Sequence, residues 1–334
     1  MIPVVSQPGS ALERAEQLAE RMLPDRRAKK RMLVIVNPYA TTVSDRLRNL
    51  VVYALQSRYD VEAIDTRARA HATELCREAA RAGYDVVVAF GGDGTVNEAA
   101  NGLVGSDTPL TCLPGGSTNV YCRTLDIPND VVDATEHLLR IADDFRPRRV
   151  DTGVMNGRHF VFASGVGLDA SVVERVDRHP LRKARFGEYY FTWAALASFN
   201  RDYVIRPPKL LLEAAGQEVK AVTVIVQNSD PFTYFGDRPI RVCRGAGLRT
   251  GRLGLTALRR STPLEVPTLI ARIFSGRSET LVRHRQVTGF DPVTEARVTS
   301  LDGRPFPLEM DGDFVDHFEE VRYSAAPRAL AVVA

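Results

Sequence analysis

Apolar residues follow one spacing up to Arg149 and another beyond it. In the first half, short continuous apolar runs at 32–36 and 86–90 are rich in β-branched residues, as buried strands are, and 61–66 and 110–113 read as two further strands. Between them apolar positions recur every three or four residues. Leu47, Leu50, Val51, Ala54 and Leu55 mark the inner face of a helix ending near Ser57. Residues 71–83, 95–104 and about 130–143 predict three more helices. Strands alternating with helices imply a doubly wound parallel sheet. After Arg149 short strand-like stretches occur at 150–156, 159–164, 209–214, 219–228, 240–243, 253–258, 286–290, 295–299, 306–311 and 318–324. Turns separate them, with Asn156-Gly157 the clearest hairpin signal. This half predicts an antiparallel, β-sandwich-like domain interrupted by a helical insert around 170–200.

The expected fold class is therefore α/β plus β. An α/β domain at 32–149 precedes a β domain at 150–325, and a tail at 326–334 has the option of packing back on the first domain. Residues 1–31 form an appendage. Leu12, Ala15, Leu18, Ala19 and Met22 mark one face of a short helix after the Ser10 cap, Pro24 ends it, and Arg26, Arg27, Lys29, Lys30 and Arg31 follow. A solvated linker and a helix packed on the body or on a partner chain account for this stretch better than contact with anionic lipid.

Composition changes this picture little. With 334 residues there is chain for two cores, and the net charge of +3 is mildly basic. The basic residues form no long stripe, which argues against a nucleic-acid partner. No apolar run reaches the roughly 18–20 residues that span a bilayer. Four scattered cysteines (Cys76, Cys112, Cys122 and Cys243) and the lack of an apolar signal core point to reduced thiols and a cytoplasmic protein, with a place at the inner membrane surface left open. A homodimer is likewise left open.

Candidate chemistry concentrates where strand 86–90 meets Gly91-Gly92-Asp93-Gly94-Thr95 and the following helix. A strand, a glycine turn and a helix N-terminus aim backbone N–H groups at one point, a geometry suited to phosphate. Asp93 would repel phosphate unless a divalent cation lay between them, so a divalent cation held by Asp93 is the expected companion. The pattern is neither the Walker loop nor the Gly-x-Gly-x-x-Gly fingerprint. Asn37, Thr66, Gly91–Thr95 and Gly116–Asn119 all fall at the carboxyl ends of predicted parallel strands, where ligands of such sheets bind.

These residues resemble the diacylglycerol kinase catalytic family, the group of bacterial lipid kinases and sphingosine and ceramide kinases, over roughly residues 32–324. Asn37-Pro38 resembles the family's first nucleotide loop, with Thr41 supplying a hydroxyl, and Thr66 with Ala72 resembles its second-strand hydroxyl and helix. Gly91, Gly92, Asp93, Gly94 and Thr95 with Asn97 and Glu98 are similar to its phosphate loop. Pro114-Gly115-Gly116-Ser117-Thr118-Asn119, continued by Arg123, Leu125, Ile127 and Pro128, resembles its Pro-x-Gly-Thr-x-Asn turn. Gly165–Ala170 resembles the opening of its second domain, and Asp311-Gly312-Asp313 its late Asp-Gly-Glu. NAD kinases share the Gly-Gly-Asp-Gly loop but neither the Asn-Pro start nor the Pro-x-Gly-Ser-x-Asn turn. Tyr39-Ala40-Thr41-Thr42 replaces the family's glycine-bearing continuation, Ser117 its threonine, and Val120 a frequent aspartate. The stretch 245–253 carries arginines where many members have acids for a structural magnesium, so no cation is expected there.

The resemblance implies ATP and Mg²⁺ as cofactors and a lipid hydroxyl, on diacylglycerol or a sphingoid-like lipid, as acceptor. Leu308-Glu309-Met310-Asp311-Gly312-Asp313 alternates apolar and acidic residues, which places Glu309, Asp311 and Asp313 on one face of a strand. On the residues alone a solvated edge face with a glycine turn explains that pattern better. The resemblance makes Asp311 and Asp313 candidates for the general base, with Asp313 ahead. A basic and aromatic stretch at 179–193 suits an acyl entrance touching the membrane, but its Phe186, Tyr190 and Trp193, at helical spacing, read better as core. A NAD kinase-like enzyme with a soluble acceptor and a non-catalytic nucleotide- or lipid-binding relative stay open.

Overall fold

A computed structural model describes residues 29–40, 42–142, 144–167, 170–171, 209–260, 262 and 264–334. The N-terminal helix, Thr41, part of the Gly165–Ala170 motif and the insert with its 179–193 stretch lie outside the described residues.

Strands β1 (Lys30–Val36), β2 (Tyr59–Asp65), β3 (Val86–Gly91) and β4 (Leu110–Pro114) pair in parallel in the order β2-β1-β3-β4. Every residue of β3 is buried, so its sequence is a continuous apolar run rather than an alternation. Five helices accompany these strands: α1 (Asp45–Leu55), α2 (His71–Arg81), α3 (Asp93–Leu103), α4 (Val120–Thr124) and α5 (Val131–Ile141). α2 packs on α3, and α1 on α5. Ser44 caps α1 and Asp130 caps α5 through their own side chains. α2 has no cap of its own. Glu98 of α3 accepts its first N–H groups instead, from Ala70 at 2.8 Å and Ala72 at 3.3 Å.

The second half contains β5 (Arg148–Met155), β6 (Arg158–Phe160), β7 (Ala163–Gly167), β8 (Leu210–Ala214), β9 (Gln217–Ala221), β10 (Thr223–Gln227), β11 (Thr233–Phe235), β12 (Arg238–Ile240), β13 (Gly254–Leu258), β14 (Val287–Gly289), β15 (Glu295–Ser300), β16 (Phe306–Met310), β17 (Asp313–Phe318) and β18 (Glu320–Val332). A six-stranded sheet, β14-β13-β10-β7-β16-β17, packs against the antiparallel strands around β15 and β18. Val166, Val224, Leu255 and Leu308 of the first sheet meet Leu212, Val298, Val321 and Tyr323 of the second in one core. β18 joins the two halves. It runs antiparallel to β15 and β5, and its end lies parallel to β4, with Val332 beside Leu110.

The architecture is that of a parallel-sheet domain followed by an antiparallel sandwich-like domain. Three local expectations are corrected. Residues 306–313 are not one strand: β16 stops at Met310, and Asp311 (φ +48°) and Gly312 (φ +80°) form a two-residue turn that pairs Met310 with Asp313. Asp-Gly is a favoured pair for such a turn, so turn chemistry overrides the apparent alternation. Residues 219–228 divide into β9 and β10. The stretch between β13 and β14 also holds two short helices, α6 (Val266–Ile273) and α7 (Ser278–Val282), which the β pattern did not predict. With the β11–β12 hairpin they form a cap around Ile240, Val242, Leu269 and Leu281.

Candidate functional site

Three loops at the carboxyl ends of β1, β3 and β4 are tied into one cradle. The two glycine turns touch backbone to backbone. Gly115 N–H donates to Gly91 O at 2.9 Å, and a Cβ on Gly115 or Gly116 would lie 2.8 or 2.9 Å from the Cα of Gly91 or Gly92. No side chain fits that crossing. Asn37 closes the third side: its Nδ2 donates to Thr95 Oγ1 at 3.1 Å and its Oδ1 accepts from Tyr39 N at 3.0 Å. Asn119 (φ +50°) clasps its own turn, accepting from Gly116 N and donating to Gly116 O and Asn129 Oδ1. Gly91 and Asn119 therefore stand behind the cradle, and Pro38 lies in the exposed first turn.

Asp93 opens α3, and its carboxylate accepts from Val120 N at 3.0 Å and Tyr121 N at 3.1 Å, at the start of α4. Burial pushes its pKa up to about 7, the two backbone donors pull it down, and the charges of Asp311 and Asp313 raise it further. Each oxygen keeps lone-pair capacity beyond its one backbone donor.

Asp311 is 1% exposed and fully engaged. Its Oδ1 accepts from Phe162 N (2.9 Å) and Ala163 N (3.1 Å), and its Oδ2 from Val161 N (2.8 Å) and Asn97 Nδ2 (2.7 Å). Burial raises its pKa to about 6 against the pull of those four donors. It pins the β16–β17 turn to α3 and to the start of β7. Asp313, the next strand's first residue, is exposed, and its carboxylate lies against the phosphate loop: a Cβ on Gly94 would be 2.2 Å from Asp313 Oδ2. Asp93, Asp311 and Asp313 thus converge from opposite domains on one cleft.

That cleft has a volume of about 1100 Å³. Asn37, Thr66, Gly92, Asp93, Gly94, Thr95, Asn97, Glu98, Gly116 and Ser117 line it. Glu98 spends its carboxylate on α2 rather than on the cleft. Composition alone did not single out the cations of the polar wall: Arg67, Arg69, Arg77 and Arg158. Arg158 donates to Asn97 Oδ1 at 2.9 Å, and its position right after the Asn156-Gly157 turn was the available signal. The cap supplies the other wall, with Phe232, Tyr234, Phe235, Ile240, Ile273 and Phe274.

The donor set fits a nucleotide with its cation. Helix-end N–H groups, the Thr95 and Ser117 hydroxyls and the arginines suit phosphate. No group of three or more His, Cys, Asp or Glu among the described residues could hold a metal ion by itself. A cation there would share Asp93 with phosphate oxygens, as Mg²⁺ commonly does. Asp151 of β5 accepts from Gly251 N of the 245–253 loop at 2.6 Å and from Arg328 N of β18 at 2.8 Å. No helix among the described residues is long and apolar enough to cross a membrane, and the four cysteines are buried free thiols.

Residues 31–153 match the diacylglycerol kinase catalytic domain family, and residues 163–334 match the YegS C-terminal NAD kinase beta sandwich-like domain. A Bacillus subtilis diacylglycerol kinase is 32% identical over 143 residues, 41% of this chain and 46% of that protein. A Staphylococcus aureus diacylglycerol kinase is 31% identical over 137 residues, 40% of this chain and 42% of that protein. The matched segment thus spans less than half of either relative. A crystal structure of a diacylglycerol kinase from Bacillus anthracis superposes with a TM-score of 0.63 at 21% identity, covering 91% of this chain and 96% of that one, a likeness of fold.

Proposed function

The chain belongs to the diacylglycerol kinase catalytic family, and on that premise we propose that it is an ATP-dependent lipid kinase phosphorylating the hydroxyl of diacylglycerol or a related lipid. One observation carries the reading: a single cleft joins a phosphate cradle to an apolar wall, with the Asp313 carboxylate against Gly94 where the two meet. A soluble acceptor would have no use for the six apolar cap residues.

The cradle of Gly92, Gly94, Thr95, Gly116 and Ser117 would hold the phosphates, with Arg158 and the α2-side arginines balancing their charge. Asp93 would hold Mg²⁺, directly or through water, and bound Mg²⁺ supplies neutralisation of charge on the transferred group. Asp313 accepts the proton of the acceptor hydroxyl while that oxygen bonds to the γ-phosphorus and the bond to the ADP oxygen breaks. Asp311, with four donors on its carboxylate, positions Asp313 through the turn between them.

Radiolabelled ATP with a whole lipid extract, purified diacylglycerol, a sphingoid base or NAD separates the readings. A labelled lipid that disappears in Asp313→Asn, with kcat down roughly 10²–10⁴-fold and ATP affinity kept, is the expected result. Labelled NAD alone, or no labelled product, would refute it.

A further inference from the structure

We infer that the cap formed by β11, β12, α6 and α7 is a docking surface for an anionic phospholipid bilayer, a role that presupposes the lipid-kinase reading for its purpose but not for its detection. Residues 232–240 and 259–287 carry seven arginines (Arg238, Arg259, Arg260, Arg272, Arg277, Arg283 and Arg285) against Asp237, Glu265 and Glu279. Seven against three is a net +4, more than the +3 of the entire chain. Two of the three acids are already paired, Asp237 with Arg123 and Glu265 with Arg285. Arg238, Arg260, Arg277 and Arg283 are exposed and form no ion pair among the described residues. An anionic surface complements such a cluster over the reach of the Debye length.

Charge alone would fit any polyanion, but the apolar side chains narrow the choice. Leu264 is 92% exposed, Ile270 48% and Phe235 42%, three of the eight large apolar side chains most open to water among the described residues. Ile270 lies on α6, whose next turn puts Ile273 and Phe274 into the wall of the cleft. Phe274 packs edge-to-face on Phe235 at 5.3 Å. Apolar surface therefore continues from the exterior of the cap to the wall facing Asp313. A lipid leaving the bilayer there would keep its chains covered on the way in, and basic residues around an apolar patch match the layering of a lipid interface. Nucleic acid would call for open aromatic faces for stacking. The two most exposed apolar cap residues are aliphatic, and the one aromatic is engaged with Phe274.

The test is co-sedimentation of the whole 334-residue chain with phosphatidylcholine vesicles, with and without phosphatidylglycerol, at low and high salt. Expected is binding that requires phosphatidylglycerol, weakens with salt, and falls by about fivefold per reversed arginine in the series Arg260→Glu, Arg277→Glu and Arg283→Glu. Ile270→Ser with Leu264→Ser should weaken it without changing its salt dependence. Turnover of lipid dispersed in nonionic micelles should stay within about twofold of wild type in all of these, since none of these residues lines the cleft. Vesicle binding that survives the triple reversal overturns the docking site, as does equal binding without phosphatidylglycerol or tighter binding to an RNA oligomer. Sedimentation is read without catalysis, so a chain that docks but phosphorylates no lipid refutes the kinase reading and leaves the surface standing.

Discussion

Gly94→Ala isolates the contact on which the proposed chemistry depends. Gly94 is the second residue of α3, and the three atoms nearest to a Cβ built there all belong to Asp313. Oδ2 would lie 2.2 Å away, and ordinary contact begins near 3.4 Å, so the carboxylate must retreat by about 1.2 Å. Displacement by about 1 Å of a group that must reach a hydroxyl costs on the order of 10²-fold in rate, or about 2.7 kcal/mol of barrier. Stability should move the other way, because alanine is better than glycine in a helix by roughly 0.5–1 kcal/mol. The expected variant is at least as stable in thermal melts yet about 100-fold slower in lipid phosphorylation. A double-mutant cycle supplies the decisive control. If the methyl acts by moving Asp313, adding it to Asp313→Ala should change turnover by no more than about threefold. Wild-type turnover in Gly94→Ala refutes the mechanism. A full further loss in the Asp313→Ala background would show that the methyl obstructs phosphate instead.

Other consequences are open to direct measurement. Asp93→Asn should remove nearly all phosphoryl transfer and lower the melting temperature by a few degrees, because one of the Val120 and Tyr121 N–H groups loses its acceptor; activity within about tenfold of wild type would contradict this. Asp151→Ala leaves the Gly251 and Arg328 N–H groups without their carboxylate acceptor, so it should destabilise the chain by about 2–4 kcal/mol in urea titrations. Burial holds Asp311 at about 6, above the 3.8 of the unfolded chain, so the folded state binds that proton more tightly. Its contribution to stability is complete below about pH 4 and lost as pH rises through 6. Wild-type minus Asp311→Asn unfolding free energy should therefore fall by roughly 2 kcal/mol from pH 4 to pH 7, and a flat or rising difference would refute the assignment.

The parallel half was legible because its signals are local. Strand β3 is a continuous apolar run, the glycine loop follows it directly, and Asn37, Thr66 and Ser117 fall at strand ends that the alternation of elements already located. α6 was missed because eight residues give barely two turns of periodicity, and its apolar positions divide between the cap core (Leu269), the cleft (Ile273) and solvent (Ile270). Asp311 shows the deeper reason why a site outruns its motif. Period-two alternation put it beside Asp313 on one strand face, whereas its actual place is set by donors 148–214 residues away in the chain. No local pattern encodes those partners. Yet they assign the roles: a carboxylate holding four donors is committed to position, and the one across the turn is available to chemistry. Met310 and Asp313 pair across that turn, so the location of Asp313 depends on the anchoring of Asp311. The two acids then act in series rather than as equivalent bases. Losing Asp311 should harm turnover only by letting Asp313 drift from Gly94, so a second substitution at Asp311 should add little once Asp313 is gone.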